Sequence, residues 1–440
     1  MMNSFNPRPS ATVQPGSPPR ETIIDMIGFI VIAGFALAVF YHYYRGVYSG
    51  LGYPYNTFLF RPEDHFNDFK DGLRVIDRSL PGPTWDPGMQ SPLWQTYDVW
   101  PFLRLLHYPF LPFGLRWGMV LWLTLFTGMF LAWCVRHLQG ATKLVTMRNA
   151  FVFSFLTYPF LVAVDRANPE MLVFIFLAAF YGWYATPRHY LGLVALAAAI
   201  AMKAFPGVYL VLLWCDRRWK DSILVGVLAV GLNLVSAAVL PGGFAPNINK
   251  WLFQSTADYQ SNMAVGDAGL MFGSSLWGVM KVGLASLLPI IHRDVPHVLS
   301  RLQLPYLLGA FVLFGLLIAY MFFREKVTWK KVTLLAFAMI LLPYVSADYR
   351  LLHVVFPLFM FINSEERGRF AKFYAVMFAL LLIPKGYVHL PHVKEATIQI
   401  ILNPLIMASM SLAIIWEGLR PQVGRQPESG SLSTTGCHLQ

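Results

Sequence analysis

Short polar segments interrupt the apolar runs of the 440-residue sequence, and they hold most of the side chains that could do chemistry. Residues 165–170, Asp-Arg-Ala-Asn-Pro-Glu, place charged and amide groups between two apolar runs. Arg166 carries a planar guanidinium whose donors suit phosphate. The alternative is a hairpin in which Asp165 pairs with Arg166 or caps the next helix. That alternative leaves Arg166 without a reason to lie so near the hydrocarbon.

Lys203 lies in Ala-Ile-Ala-Met-Lys-Ala-Phe-Pro-Gly, with apolar sequence on both sides and a Pro-Gly break after it. A lysine that extends from a helix end toward water is the alternative. The predicted orientation puts this position at the outer end of its helix, where membrane topology gives no reason for a lysine. We therefore predict that Lys203 binds phosphate.

A late segment, Ser-Ala-Asp-Tyr-Arg-Leu-Leu-His over residues 346–353, again joins two apolar runs. Either Arg350 and His353 bind a polar headgroup, or Asp348 pairs with Arg350 while His353 is satisfied in the core. The spacing of His353 lets its side chain face Arg350 or Tyr349 on a helix.

Acidic residues follow the first apolar run. Asp64, Asp68 and Asp71 are spaced four and three apart, which predicts that they share one side of a helix. Because three carboxylates on one face repel one another, either the helix is well solvated or a cationic or hydroxyl-bearing partner binds there.

The elements that position these residues are predicted to be membrane helices. Hydrophobic residues make up 56% of the chain and charged residues only 13%, which excludes an ordinary soluble globule. The net charge of +11 arises from basic residues in short loops between apolar runs, a pattern that indicates membrane topology rather than nucleic-acid binding. The three cysteines are scattered, and the sequence has no nucleotide-binding or zinc-hydrolase motif. We therefore expect no metal and no cofactor.

The fold class predicted from these runs is all-α, a polytopic bundle of about 12 spans with interfacial helices and both termini cytoplasmic. Residues 1–22 and 417–440 are expected to be disordered cytoplasmic ends of a membrane domain over 23–416. Two large outer loops follow, over 45–115 and 241–302. The apolar stretch 270–291 in the second loop is expected to be interfacial or re-entrant rather than a span.

The order and sidedness of these segments resemble the GT-C superfamily of integral-membrane glycosyltransferases, and within it glycosyltransferase family 87. The matching residues are Asn-Asp-Phe-Lys at 67–70, Asp-Arg-Ala-Asn-Pro-Glu at 165–170, Ala-Met-Lys-Ala-Phe-Pro at 201–206, Asp-Arg-Arg-Trp-Lys at 216–220 and the Ser346/His353 segment. The resemblance implies a helical fold with a cavity open at the outer face. It also implies inverting transfer of a hexose, mannose above all, from a polyprenyl-phosphate donor to a glycan or glycolipid acceptor.

The resemblance also assigns roles to residues. An aspartate of the first outer loop is the general base; Asp68 is the best match, with Asp71 in reserve because Gly-Leu-Arg follows it where the family usually has an aromatic residue. Arg166 and Lys203 match the residues that hold the donor phosphate, and His353 falls where the family has a histidine near the donor. We place Arg350 with this phosphate-binding group.

The chemistry of these residues agrees with such a transfer. A sugar hydroxyl needs a carboxylate to take its proton, and the departing polyprenyl phosphate needs cations to stabilise its charge. Asp165, Asn168 and Glu170 are assigned to substrate binding. The expected location is the inner (plasma) membrane, with the site on the extracytoplasmic face. The alternative function is a transporter or flippase for a lipid-linked or anionic substrate, but that function predicts ionisable residues throughout the membrane depth.

Overall fold

The computed structural model describes residues 18–77, 100–254, 260–266, 273–287, 294–390 and 393–420. Most of both predicted disordered ends therefore lies outside the described residues, as does the part of the first outer loop over 78–99. The helical part extends slightly beyond the predicted limits of 23–416, since its first helix begins at Arg20 and its last ends at Leu419.

Helices joined by short breaks make up nearly all of the described chain. Those before residue 240 are α1 (Arg20–Val47), α2 (Asn67–Ile76), α3 (Pro101–His107), α4 (Gly114–His137), α5 (Lys143–Phe155), α6 (Tyr158–Arg166), α7 (Glu170–Tyr184), α8 (His189–Met202), α9 (Leu210–Cys215) and α10 (Trp219–Val239). Those after it are α11 (Phe244–Asn249), α12 (Leu276–Leu287), α13 (Val295–Phe323), α14 (Thr328–Leu341), α15 (Val355–Asn363), α16 (Ala371–Leu382) and α17 (Gln399–Leu419). Short 3₁₀ and π segments also occur: Pro62–Asp64, Tyr108–Phe113, Phe205–Tyr209 and Asp348–Val354 are 3₁₀, and Lys250–Gln254 and Gln260–Val265 are π.

One small hairpin departs from the all-α class. Strands β1 (Tyr387–Leu390) and β2 (Val393–Thr397) pair antiparallel, with Tyr387 opposite Thr397. The all-α polytopic prediction fits the described chain apart from this hairpin.

The number of membrane spans is lower than predicted when length is the criterion. Among the described residues, five helical stretches are long and apolar enough to cross a membrane, or six if α5 and α6, bent by 59°, form one span. The five stretches are α1, the run Pro101–His137, α10, α13 and α17. The other apolar helices have 10–17 residues, fewer than the roughly 20 that a lone span needs. The predicted count of about twelve spans is therefore not confirmed.

Burial separates the helices into a core and a lipid-facing layer. Almost every side chain of α14 is buried, so this helix lies in the middle of the bundle. In α13, by contrast, the apolar side chains are mostly exposed, and Leu299 and Met321 are the buried ones. Such a surface is costly in water and stable in a bilayer.

Several predicted cytoplasmic segments lie together at one end of the bundle. Arg20, at the start of α1, donates to the carbonyl oxygen of Gln139 beyond α4 (2.6 Å) and to Asn363 Oδ1 at the end of α15 (2.9 Å). Arg367 donates to the carbonyl oxygen of Pro18 (3.0 Å). The start of α1 and the ends of α4 and α15 therefore share one end, as alternating helix directions require. Which side of the membrane this end faces stays a prediction.

The stretch predicted to be re-entrant contains α12, which has 12 residues. A helix of this length spans about 18 Å, well below the hydrocarbon thickness of about 30 Å. Residues 267–272 and 288–293, on either side of its described part, lie outside the described residues. The interfacial or re-entrant placement stays a prediction.

Candidate functional site

A sharp corner between α6 and α7 forms the base of the site. Ala167 directly follows α6 and has the left-handed conformation, with φ 48° and ψ 42°. The Oδ1 atom of Asn168 then accepts a hydrogen bond from the backbone N–H of Glu170 (2.8 Å), the first residue of α7. This caps an N–H group that has no partner within the helix. The corner places Arg166, Asn168 and Glu170 within five residues of one another at the junction of the two helices.

The left-handed residue at this corner gives a testable prediction about stability. Ala167 is fully buried, and a β-branched residue is strongly disfavoured at positive φ. We expect Ala167→Val to lower the free energy of unfolding by about 2 kcal/mol or more. Ala163→Val, at a buried helical position of α6, is the matched control for overpacking alone. Thermal unfolding in detergent measures both, and equal losses would show that backbone strain at residue 167 contributes nothing.

The helix that carries the predicted base begins later than its acidic spacing indicates. Phe66 has a positive φ of 62°, and its N–H donates to the carbonyl oxygen of Asp165 (2.7 Å). Since α2 therefore begins at Asn67, Asp64 lies in the preceding 3₁₀ turn. The prediction that Asp64 shares a helix face with Asp68 and Asp71 is wrong, and only the latter two lie on α2.

Asp68 is the point where α2 meets the corner. Its carboxylate is fully buried and accepts hydrogen bonds from Arg166 Nη2 and Asn168 Nδ2. Arg166 also donates to the carbonyl oxygen of Asp64 (3.3 Å), and its guanidinium lies 4.6 Å from the ring centroid of Phe60. The predicted base and a predicted phosphate ligand are thus direct partners, although about a hundred residues separate them in sequence.

Asp71 lies one helical turn further along α2 and has a different partner. Its Oδ1 atom accepts from Arg74 Nη1 at 2.8 Å. Burial raises the pKa of the Asp71 carboxyl, and the hydrogen bond and charge of Arg74 partly offset this rise. Asp71 therefore has a local partner on its own helix, whereas Asp68 is bound to the corner.

Asp165 makes contacts that differ from the predicted alternative. It pairs with His65 Nδ1 (2.9 Å), and its Oδ2 atom accepts from the N–H of Phe60 (3.0 Å). The hairpin in which Asp165 pairs with the adjacent Arg166 is therefore wrong. Asp165 instead fastens the segment before α2 to the end of α6.

Glu170 is the centre of a second charged cluster. Its Oε1 atom accepts from Lys203 Nζ (2.7 Å) and lies 3.6 Å from Arg350 Nε, while its Oε2 atom lies 2.9 Å from His353 Nε2. Lys203 follows the end of α8 in an extended conformation. Arg350 and His353 are three residues apart in a 3₁₀ segment, whose period places them on the same side.

Asp348 does not form the ion pair with Arg350 that the alternative interpretation of this segment requires. Its carboxylate is fully buried and accepts from the Ser274 hydroxyl (2.7 Å) and the Tyr158 hydroxyl (3.0 Å). Gln399 and Asn403 of α17 extend this network by donating to Tyr158 and Ser274. The network holds the start of the Arg350 segment in the core, and no local motif in the sequence indicated it.

In both clusters the acidic side chains are buried and the basic side chains are partly exposed. The carboxylates of Asp68 and Glu170 have 0% exposed surface, whereas Arg166, Lys203 and Arg350 keep 13%, 20% and 15% of their side chains exposed. The accessible side of the site is thus cationic, which suits an anion. Within the described ranges, no group of three or more His, Cys, Asp and Glu side chains could hold a metal ion.

The fold and the site together define a helical membrane protein with charged clusters at the junction of α6 and α7. The model of glycosyltransferase family 87 matches residues 101–346, more than half of the chain, which therefore belongs to this family. The protein is thus a membrane glycosyltransferase, and the family predicted from its motifs is confirmed. No curated protein and no solved structure shows significant similarity to it.

The matched range covers only part of the candidate site. It includes the α6–α7 corner and Lys203, whereas Asp68 and Asp71 precede it and Arg350 and His353 follow it. The contacts in the structure nevertheless bring Asp68, Arg350 and His353 to the matched residues.

Proposed function

We propose that the protein transfers a hexose, with mannose as the first candidate, from a polyprenyl-phosphate donor to a glycan or glycolipid acceptor. The observation that carries this proposal is that Asn168 connects two ion-pair clusters, Asp68 with Arg166 and Glu170 with Lys203 and Arg350. Asn168 donates to Asp68 through Nδ2 and accepts from the backbone of Glu170 through Oδ1. The candidate base and the candidate phosphate ligands are thereby held in one connected site.

The proposed reaction is a single displacement at the anomeric carbon. Asp68 takes the proton of the acceptor hydroxyl while its oxygen forms a bond to C1 of the sugar. The bond between C1 and the phosphate oxygen breaks, and its electron pair stays on the polyprenyl phosphate. One displacement inverts the configuration at C1, and no enzyme nucleophile is needed.

The leaving phosphate is proposed to bind on the accessible side of the cations. Arg166, Lys203 and Arg350 each keep part of the side chain exposed while their acidic partners are buried. Fixed positive charge in a site with little water stabilises the growing negative charge of the leaving group, without reorganisation during the reaction. His353 is fully buried against Glu170 and therefore affects the phosphate only indirectly, through these ligands.

Arg166 is proposed to contact both the donor phosphate and the candidate base, Asp68. In the described structure both oxygens of Asp68 accept hydrogen bonds, one from Arg166 and one from Asn168. When the guanidinium binds the donor phosphate, its hold on Asp68 weakens and an oxygen becomes available to the acceptor hydroxyl. The same residue therefore links donor binding to activation of the base.

The site is proposed to face the extracytoplasmic side of the inner membrane, with both chain ends in the cytoplasm. The supporting observation is that Arg20, Gln139 and Asn363 meet at one end of the bundle. The chain then runs through α5 and α6 before it reaches the corner at Arg166. In this orientation the lipid tail of the donor lies in the bilayer beside the apolar helices.

A transferase is favoured over the alternative of a transporter or flippase. Membership of a glycosyltransferase family supports it, and so does the clustering of the ionisable side chains at the α6–α7 corner.

The donor is tested directly by transfer in reconstituted membranes. We expect the full-length protein in nanodiscs to transfer radiolabelled mannose from polyprenyl-phosphate mannose to a mannoside acceptor, with inversion at C1. A nucleotide-activated mannose is expected to give no product, because the site offers cations beside a bilayer and no nucleotide-binding motif. Transfer from the nucleotide sugar, or retention of configuration, would contradict the proposal.

A further inference from the structure

Glu170 is surrounded in a way that separates it from any ligand. Its two carboxylate oxygens contact Lys203 at 2.7 Å, His353 at 2.9 Å and Arg350 at 3.6 Å. Its side chain has no exposed surface, whereas Lys203 and Arg350 remain accessible on their far sides. A ligand that reaches these cations therefore meets them on the side away from Glu170.

The cations around Glu170 come from two elements that are distant in sequence, and Lys203 Nζ also lies 5.5 Å from the ring centroid of Tyr349, the neighbour of Arg350. Lys203 follows α8, and Arg350 lies in the 3₁₀ segment after α14. Both pack on the ring of Phe205, with Lys203 Nζ at 5.9 Å and Arg350 Cζ at 4.3 Å from its centroid. Two positive charges on one ring repel each other, and a buried carboxylate between them compensates that repulsion.

We propose that Glu170 is a positioning residue, whose buried charge assembles Lys203 and Arg350 into one surface for the donor phosphate. The identity of the ligand rests on the proposed function, while the assembly of the cations rests on the contacts around Glu170. This role differs from the substrate contact predicted from sequence, because Glu170 acts on the ligand only through the cations.

Loss of the Glu170 charge has two effects of opposite sign on phosphate binding. Removing a negative charge near an anion site strengthens the long-range attraction for phosphate. Removing a positioning residue instead lets Lys203 and Arg350 separate, so that fewer donors reach one phosphate. We infer that the second effect is the larger one, because two of the contacts to Glu170 are close hydrogen bonds.

The first test uses Glu170→Gln and Glu170→Asp in the full-length protein in nanodiscs, with polyprenyl phosphate as the probe. We expect Glu170→Gln to weaken binding of polyprenyl phosphate by about tenfold or more and to raise the KM for the donor more than it lowers kcat. Glu170→Asp keeps the charge and is expected to recover most of the affinity. Unchanged or tighter binding by Glu170→Gln overturns the inference.

A double variant keeps the test decisive if Glu170→Gln alone leaves Lys203 and Arg350 uncompensated and unfolds. Lys203→Met combined with Glu170→Gln removes the ion pair as a neutral unit. Because Glu170 also positions Arg350, the double variant is expected to bind polyprenyl phosphate more weakly than Lys203→Met alone. Binding equal to or tighter than that of Lys203→Met overturns the inference and leaves the proposed function standing. Failure of the wild-type protein to bind polyprenyl phosphate overturns the proposed donor, and this inference with it.

Discussion

Asp68→Asn is expected to reduce sugar transfer by about 10²–10⁴-fold, the range typical for loss of a general base. Asparagine keeps the shape and an oxygen that accepts from Arg166, so the buried contact between α2 and the corner survives in part. It cannot take the proton of the acceptor hydroxyl. The measurement is single-turnover transfer from polyprenyl-phosphate mannose in nanodiscs, with thermal unfolding recorded for the same sample.

Asp71→Asn is the matched control for this prediction. Asp71 lies on the same helix, is largely buried, and pairs with Arg74 at 2.8 Å instead of with the corner. We expect this variant to keep transfer within a few-fold of the wild-type rate. If Asp71→Asn abolishes transfer while Asp68→Asn remains active, the base is Asp71 and the assignment made from the contacts of Asp68 is wrong.

The affinity of Asp68→Asn for the donor distinguishes loss of the general base from collapse of the corner. Asp68→Asn is expected to leave the affinity for polyprenyl phosphate unchanged or slightly higher, because Arg166 loses a charged competitor for the phosphate. A loss of affinity equal to the loss of rate would indicate that the corner has collapsed, and transfer by that variant would then say nothing about the base.

Much of the candidate site could be predicted because charged residues are rare in this chain. When only 13% of residues are charged, a lysine or arginine at the end of an apolar run requires a local reason. This reason singles out Arg166, Lys203 and Arg350, and the structure brings each of them to a buried carboxylate.

The partners of these cations could not be predicted, because they depend on long-range packing. Glu170 is a helix-starting residue in sequence, where a carboxylate is ordinarily explained by the helix dipole. Its contact with His353 joins residues 183 positions apart. The ion pair of Asp348 with Arg350 was equally plausible from spacing, yet Asp348 is bound by Ser274 and Tyr158 from distant elements.

The backbone of the site also has features without a sequence signal. Phe66 and Ala167 both adopt positive φ, although neither residue type favours that conformation. Residue type therefore does not indicate that α2 begins only at Asn67 or that α6 ends at Arg166. Sequence alone does not fix the number of spans either, since apolar helices of 10–17 residues occur both as parts of broken spans and as buried core elements.

Lys203→Met is expected to raise the KM for the polyprenyl-phosphate donor by about 10²-fold, with a further loss in kcat because the same charge stabilises the leaving phosphate. Methionine preserves most of the side-chain length and removes the ammonium group. The measurement is initial-rate kinetics over a range of donor concentrations in nanodiscs, combined with direct binding of polyprenyl phosphate.

Lys330→Met is the control, because Lys330 forms an ion pair of similar length elsewhere in the protein. Its Nζ atom contacts Glu417 at 2.8 Å, close to the 2.7 Å between Lys203 and Glu170, and its side chain is even less exposed. Both substitutions leave a carboxylate without its lysine, fully buried at Glu170 and 16% exposed at Glu417, so both are expected to cost stability. Only Lys203→Met is expected to weaken donor binding, since Glu417 contacts none of the site residues named here. Equal losses of affinity in the two variants would mean that the effect at Lys203 reflects general destabilisation and that its ammonium group does not bind the phosphate.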